Sequence, residues 1–238
     1  RKNAREIGYT ISEGNQTSGK QVRFTGNSFA AEGTLKGLLK TQEQQLFNAG
    51  IYQAANLEID REKIVTYYRD NGFVDMKVTD ILQEVSTNEK ERRDSVILTY
   101  VIEEGTQFFF GGISIEGNKV FSSEDLLSLV KSKPGAILNQ SRLEAEYRAV
   151  QDRYYQQGYA FNQWELVPSR DLETRTISYL IKVVEGPIAY IGDIQVRGNT
   201  KTKRHIIDRE LPFKVGDVFS TAKLREGYYA LMNTRYFS

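Results

Sequence analysis

Apolar residues along this chain switch between two periods, and the switch recurs. Short segments alternate apolar and polar positions: Val22/Phe24, Ile113/Ile115 and Ile194/Val196. That period predicts strands with one apolar face. Each segment ends in Gly-Asn (Gly26-Asn27, Gly117-Asn118, Gly198-Asn199), a pair that tolerates positive φ and can turn the chain out of a strand. Helical spacing follows, with Leu35/Leu39, Leu126/Val130 and Ile207/Leu211 each four apart on one predicted helix face. In the middle copy Ser122 and Asp125 have capping-box spacing, with Phe121 at the staple position. A connector ending in Gly50-Ile51-Tyr52, Gly135-Ala136-Ile137 or Gly216-Asp217-Val218 leads to a second helix, predicted over Leu57–Asn71, Ser141–Gln157 and Thr221–Asn233. Leu57/Ile64/Tyr68, Leu143/Val150/Tyr154 and Leu224/Leu231 form its inner face. Gly72-Phe73 and Gly158-Tyr159 supply a left-handed helix stop, and the third copy reaches Arg235-Tyr236 without the glycine.

Two strands close the pattern. The first is predicted over Phe73–Ile81 and Tyr159–Val167, with Val74/Met76/Val78 and Ala160/Trp164/Leu166 inward. Polar hairpins (Ser86–Asp94, Ser169–Thr174) lead to the last strand, Val96–Glu103 and Thr176–Glu185. Its apolar residues lie partly on both faces (Ile97, Val101; Leu180, Val184), as in a central strand. The order β-α-α-β-β predicts an α+β fold, a three-stranded mixed sheet covered on one face by two helices.

The register is long. Glu13-Gly14, Glu104-Gly105 and Glu185-Gly186 each precede a Gly-Asn pair by 12 residues, and successive Gly-Asn pairs lie 91 and 81 residues apart. Such a period makes each repeat a domain, not a solenoid turn. Residues 1–19, with Ile7, Tyr9 and Ile11, then read as the last strand of a preceding repeat. Residues 20–107 and 108–188 are whole repeats, and 189–238 is the N-terminal half of a further one. Both ends are thereby expected to fall inside domains. The joints, marked by Phe108, Phe109, Phe110, Gly111 and Gly112 and by Ala189, Tyr190 and Gly192, are short, so neighbouring repeats are expected to bend over a limited range.

Composition narrows the chemistry. At 39% apolar and 26% charged residues the chain is of ordinary globular make-up, and its net charge of +1 gives no basic excess for nucleic acid. There is no cysteine and no apolar run near the roughly 20 residues that span a bilayer. His205, the only histidine, sits among cations in Lys203-Arg204-His205 and has no triad partners in view. The carboxylates Glu58/Asp60/Glu62 and Glu103/Glu104 read as solvated charges. Gly111-Gly112 reads as a joint, not a phosphate cradle. An RNA-binding KH reading fails because no connector carries GxxG. One tyrosine of each pair Tyr67-Tyr68, Tyr154-Tyr155 and Tyr228-Tyr229 is expected in the core and its neighbour at the rim. No catalytic, metal or cofactor set emerges, and an enzyme is not expected.

Ile115-Glu116-Gly117-Asn118-Lys119, Tyr154-Tyr155-Gln156-Gln157-Gly158-Tyr159 and Val183-Val184-Glu185-Gly186, recurring in order, resemble the tandem POTRA domains of BamA-type outer-membrane assembly factors. The resemblance covers nearly the whole chain. The third unit, with Arg209-Glu210-Leu211 and Gly216-Asp217-Val218-Phe219-Ser220, is similar to the domain nearest the barrel. The resemblance implies a periplasmic array, a covalently linked C-terminal β-barrel, and two kinds of partner: nascent outer-membrane proteins and accessory assembly lipoproteins. It implies no cofactor. It also implies sheet edges that pair with extended clients, expected at Phe73, Val74, Asp75, Met76, Lys77 and Val78 and at Tyr159, Ala160, Phe161, Trp164 and Leu166. Asp75, Lys77 and Asp80 would blunt the first edge, and Pro168 would end the second. A two-partner secretion transporter, a plastid import pore, or a pure interaction scaffold would share much of this pattern.

Overall fold

A computed structural model describes residues 16–40, 54–88, 93–199 and 202–234. The expected strand before Glu13-Gly14, the connector Gly50-Ile51-Tyr52 and the pair Arg235-Tyr236 lie outside them. The chain forms two compact units, Arg1–Arg69 with Phe73–Thr106, and Asp70–Gly72 with Gln107–Ser238.

The first unit contains β1 (Gln16–Thr25), α1 (Glu32–Leu38), α2 (Ala54–Asp70), β2 (Lys77–Asn88) and β3 (Arg93–Glu103). The second contains β4 (Phe109–Glu116), α3 (Ser123–Leu127), α4 (Gln140–Tyr155), β5 (Gln163–Asp171) and β6 (Thr176–Val184), then α5 (Arg204–Glu210) and α6 (Thr221–Asn233). The sheets run β1-β3-β2 and β4-β6-β5. In each, the closing strand is central, parallel to the opening strand and antiparallel to the other. The expected mixed three-stranded α+β fold is therefore present twice, with the apolar-on-both-faces strand in the middle. No ladder pairs Ile191–Arg197 among the described residues, so the strand predicted around Ile194/Val196 is absent there. The other opening strands pair with the closing strand of their own sheet, and among the described residues no such strand stands opposite this segment.

The cores follow the predicted faces. Leu35, Ile64, Tyr68 and Tyr100 are fully buried in the first unit, and Leu126, Val150, Tyr154 and Ile181 in the second. Burying each such side chain contributes about 1.5–3 kcal/mol. Caps set the helix starts: Ser122 Oγ accepts from Asp125 N (3.1 Å), and Asn139 Oδ1 accepts from Arg142 N (2.8 Å).

Other expectations need correcting. The first helices are shorter than their spacing predicts: Leu39 and Leu211 are extended cap residues, and Val130 lies beyond α3. For the first two the reason lies on the second helix; the third meets Pro212 directly after Leu211. Asp60 Oδ1 accepts from Lys40 N (2.6 Å), and Glu146 Oε1 from Lys131 N and Ser132 N (both 2.9 Å), diverting amides that would have continued the helix. Asp60 is thus a fully buried clamp and not a solvated charge. The outer strands also start late, at Lys77 and Gln163. Phe73 N donates to Tyr68 O (3.0 Å) and Tyr159 N to Tyr154 O (3.1 Å), the six-to-one bond of a Schellman stop, so these amides close a helix instead of opening a strand. Finally, Leu224 is exposed on α6, as are both Tyr228 and Tyr229. At the 81-residue offset Tyr228 matches Tyr147, not Tyr154, so the third tyrosine pair is not a true copy.

Candidate partner-binding edges

Sheet order makes β2 and β5 outer strands, with β1 and β4 at the opposite edges. Outer strands leave every second N–H and C=O pointing away from the sheet. The two edges of the second sheet are not equivalent. The connector after α3 lies along the start of β4: Phe110 N donates to Ala136 O (2.8 Å), Gly135 N to Phe110 O (2.8 Å) and Leu138 N to Phe108 O (3.1 Å). The segment before α6 repeats this, with Ile191 N to Asp217 O (2.9 Å), Gly216 N to Ile191 O (2.7 Å) and Phe219 N to Ala189 O (2.9 Å). These connectors were legible only as glycine-containing loops, because their partners lie some 25 residues upstream. On β5, among the described residues, no backbone bond reaches the outer side.

The predicted site residues divide accordingly. Lys77 and Val78 open β2, while Phe73, Val74, Asp75 and Met76 precede it, Phe73 and Met76 being buried. Trp164 and Leu166 lie in β5, half-buried against α4; Tyr159, Ala160 and Phe161 precede it, and Phe161 is 64% exposed. Pro168 does not end this strand. It pairs with Tyr179 inside an unbroken ladder from Gln163↔Val184 to Asp171↔Thr176. On β2, a bulge at Thr79, the Asp80 carboxylate accepting from Ile81 N (2.7 Å) and Arg61 Nη2 donating to Val78 O (2.6 Å) occupy the strand's first residues.

Of the joint residues, Phe109, Phe110, Gly111 and Gly112 belong to β4 itself. Gly111 is the extra residue of a bulge, where a Cβ would stand 2.4 Å from Ser178 Oγ. Phe108 and Phe110 are buried, and Tyr190 is 62% exposed beside Val218. Gly158 ends α4 at φ 91°. Its carbonyl accepts from Ala189 N (2.8 Å), and a Cβ there would stand 2.5 Å from Val218 Cγ1.

The Glu-Gly and Gly-Asn pairs meet within each sheet. Glu185 Oε1 accepts from Lys119 N (2.8 Å), Val120 N (3.0 Å) and Tyr154 OH (2.8 Å), and Glu104 Oε1 from Phe29 N and Tyr68 OH (both 2.8 Å). Asn27, Asn118 and Asn199 each close the turn by donating to the carbonyl three residues on, at 2.9–3.0 Å. Burial works to raise the Glu185 carboxyl, but the Val120 and Lys119 amides and the Tyr154 hydroxyl outweigh it and hold the group below its ordinary range. Burial first, then the bonded carboxylate, pushes Tyr68 and Tyr154 far above an ordinary phenol. These tyrosines therefore serve as fixed donors. His205 is exposed at the start of α5. Among the described residues no acid or histidine cluster is arranged to hold a metal, and no helix is long and apolar enough to cross a membrane.

The model of the POTRA family, described as a surface antigen variable number repeat, matches residues 19–105, 108–186 and 189–238. A protein of Treponema pallidum (strain Nichols), provisionally named an outer membrane protein assembly factor, is 36% identical over 232 residues, which are 98% of this chain and 28% of that protein. Outer membrane protein assembly factor BamA of Neisseria meningitidis serogroup B (strain ATCC BAA-335 / MC58) is 27% identical over 230 residues, 94% of this chain and 28% of its own. The chain thus spans under a third of these relatives. The crystal structure of Haemophilus influenzae BamA POTRA3-5 shares the fold, with a TM-score of 0.76 at 20% identity over 94% of this chain and 87% of that one. Two mixed sheets, each with its paired helices and its Glu–Tyr clamp, and a family match over nearly the whole length lead to one conclusion: the chain belongs to the POTRA family, as a tandem array of the BamA type.

Proposed function

We propose that this chain is the periplasmic POTRA region of an outer-membrane β-barrel assembly factor, and that it receives unfolded barrel proteins by β-augmentation on β2 and β5. Accessory lipoproteins use the same array as a scaffold, and a C-terminal barrel completes the protein. In this reading residues 20–107 and 108–188 are whole repeats and 189–238 begins the repeat next to the barrel. The work is binding, not catalysis.

One observation carries the client reading: the connector covers the start of β4, while among the described residues no backbone segment pairs with the outer side of β5 at the opposite edge. Main-chain bonds supply affinity without demanding a sequence, which suits a handler of many clients. Scaffolding is supported by the exposed apolar side chains Phe161 and Tyr190 near the start of β5 and the second joint. A photo-crosslinker at Leu82 or Glu165 should capture an unfolded barrel protein, whereas one at Tyr67 on α2 should not. Capture only from the helix position would overturn the edge reading.

A further inference from the structure

Pro168 stands inside β5, paired with Tyr179, with four ladder pairs after it in the strand's register when its own is counted. Proline has no N–H, and inside a sheet it is accommodated where that side of the strand faces away from its partner. The antiparallel ladder alternates inward and outward residues, and this one has no bulge. If Pro168 faces outward, then Trp164, Leu166 and Arg170 do so too. The edge of β5 thus presents amides at Trp164 and Leu166 and, at the next outward position, the pyrrolidine ring of Pro168. β2 differs: beyond its bulge the register runs unbroken from Asp80↔Val101 to Asn88↔Arg93 and contains no proline.

We propose that Pro168 is a specificity-determining stop that limits an extended partner on β5 to Gln163–Val167 and sets its register. This rests on the edge-pairing reading above. Five residues of strand span about 17 Å, enough for one short amphipathic segment. Its apolar side chains would lie beside half-buried Trp164 and Leu166, and its polar ones beside exposed Gln163 and Glu165. The preferred partner is therefore a short strand of alternating apolar and polar or basic residues. β2 accepts longer segments of the same kind.

The test uses the full 238-residue chain, its Pro168→Thr and Pro168→Ala variants, and a synthetic peptide of alternating valine and lysine. In both variants without peptide, the new amide at 168 should exchange rapidly with solvent; strong protection would show that it faces β6 and overturn the proposal. With peptide, amide shifts along β5 in the native chain should be confined to residues 163–167, and in both variants should extend through Asp171. Binding should tighten roughly 2–10-fold per restored bond. Shifts already reaching Asp171 in the native chain, or unchanged in the variants, would overturn it. Shifts on β2 with none on β5 in any protein would also overturn it while sparing the edge-pairing reading, and shifts on neither strand would sink both.

Discussion

Glu185 shows how much one side chain holds together. Its Oε1 gathers two backbone amides and a tyrosine hydroxyl across 65, 66 and 31 residues of sequence. The recurring Glu-Gly was visible in the sequence as a boundary mark. Its role as a clamp was not, because nothing local says that Lys119 and Glu185 meet. Glu185→Ala should destabilise the second unit by about 2–4 kcal/mol, since three donors lose their acceptor. Urea unfolding followed by the fluorescence of Trp164, the chain's one tryptophan, measures this. The carboxyl sits below its ordinary range in the folded state, so its stabilisation is present above the unfolded-state value and is lost as pH falls through the folded one. The gap between the native chain and Glu185→Gln should therefore be full near pH 7 and shrink below about pH 4. A gap that is constant with pH would contradict the clamp. Gly117 sits at φ 85°, and a Cβ there would stand 2.1 Å from the Val183 carbonyl oxygen. Gly117→Ala should cost about 3 kcal/mol or more, because backbone has to move.

The elements carry a second device that composition conceals. Asp60 on α2 and Glu146 on α4 bond the amides that follow the preceding short helix. At the 81-residue offset, α6 has Gly227 where α4 has Glu146, and Pro212 stands where Lys131 does. Proline has no amide to satisfy, and Gly227 is buried in close contact: a Cβ would stand 3.1 Å from Pro212 Cδ and Phe213 Cε1, which would have to give by a few tenths of an ångström. Carboxylate with amide, and glycine with proline, are thus two solutions at one position. Glu146→Leu should cost about 1–3 kcal/mol by leaving two part-buried amides without their acceptor, and Glu146→Gln, which keeps an acceptor, distinctly less. Equal losses in thermal unfolding would contradict this. Helix periodicity located all three long helices to within a few residues, because their apolar faces are broad. It overextended the short ones, because a buried carboxylate ends the first two and Pro212 follows the third, and periodicity registers neither. Strand starts erred for a like reason: the amides of Phe73 and Tyr159 are spent on helix stops.

At the scale of the whole chain, the fold was legible because the same switch of period occurs at domain-sized spacing, and because β3 and β6 are apolar enough on both faces to mark the centre of each sheet. The edges were less legible. Which outer strand stays open depends on a connector folding back over β4, and how far β5 stays open depends on where the Pro168 nitrogen points. Neither can be read from alternation alone. The central claim is that these sheets receive extended clients along β2 and β5. Chemical-shift mapping of the 238-residue chain with a peptide from an unfolded outer-membrane barrel tests it most directly. Perturbations should concentrate on Leu82–Asn88 and Gln163–Val167 and leave the outer faces of α2 and α4 unmoved; perturbations confined to the helices would contradict it.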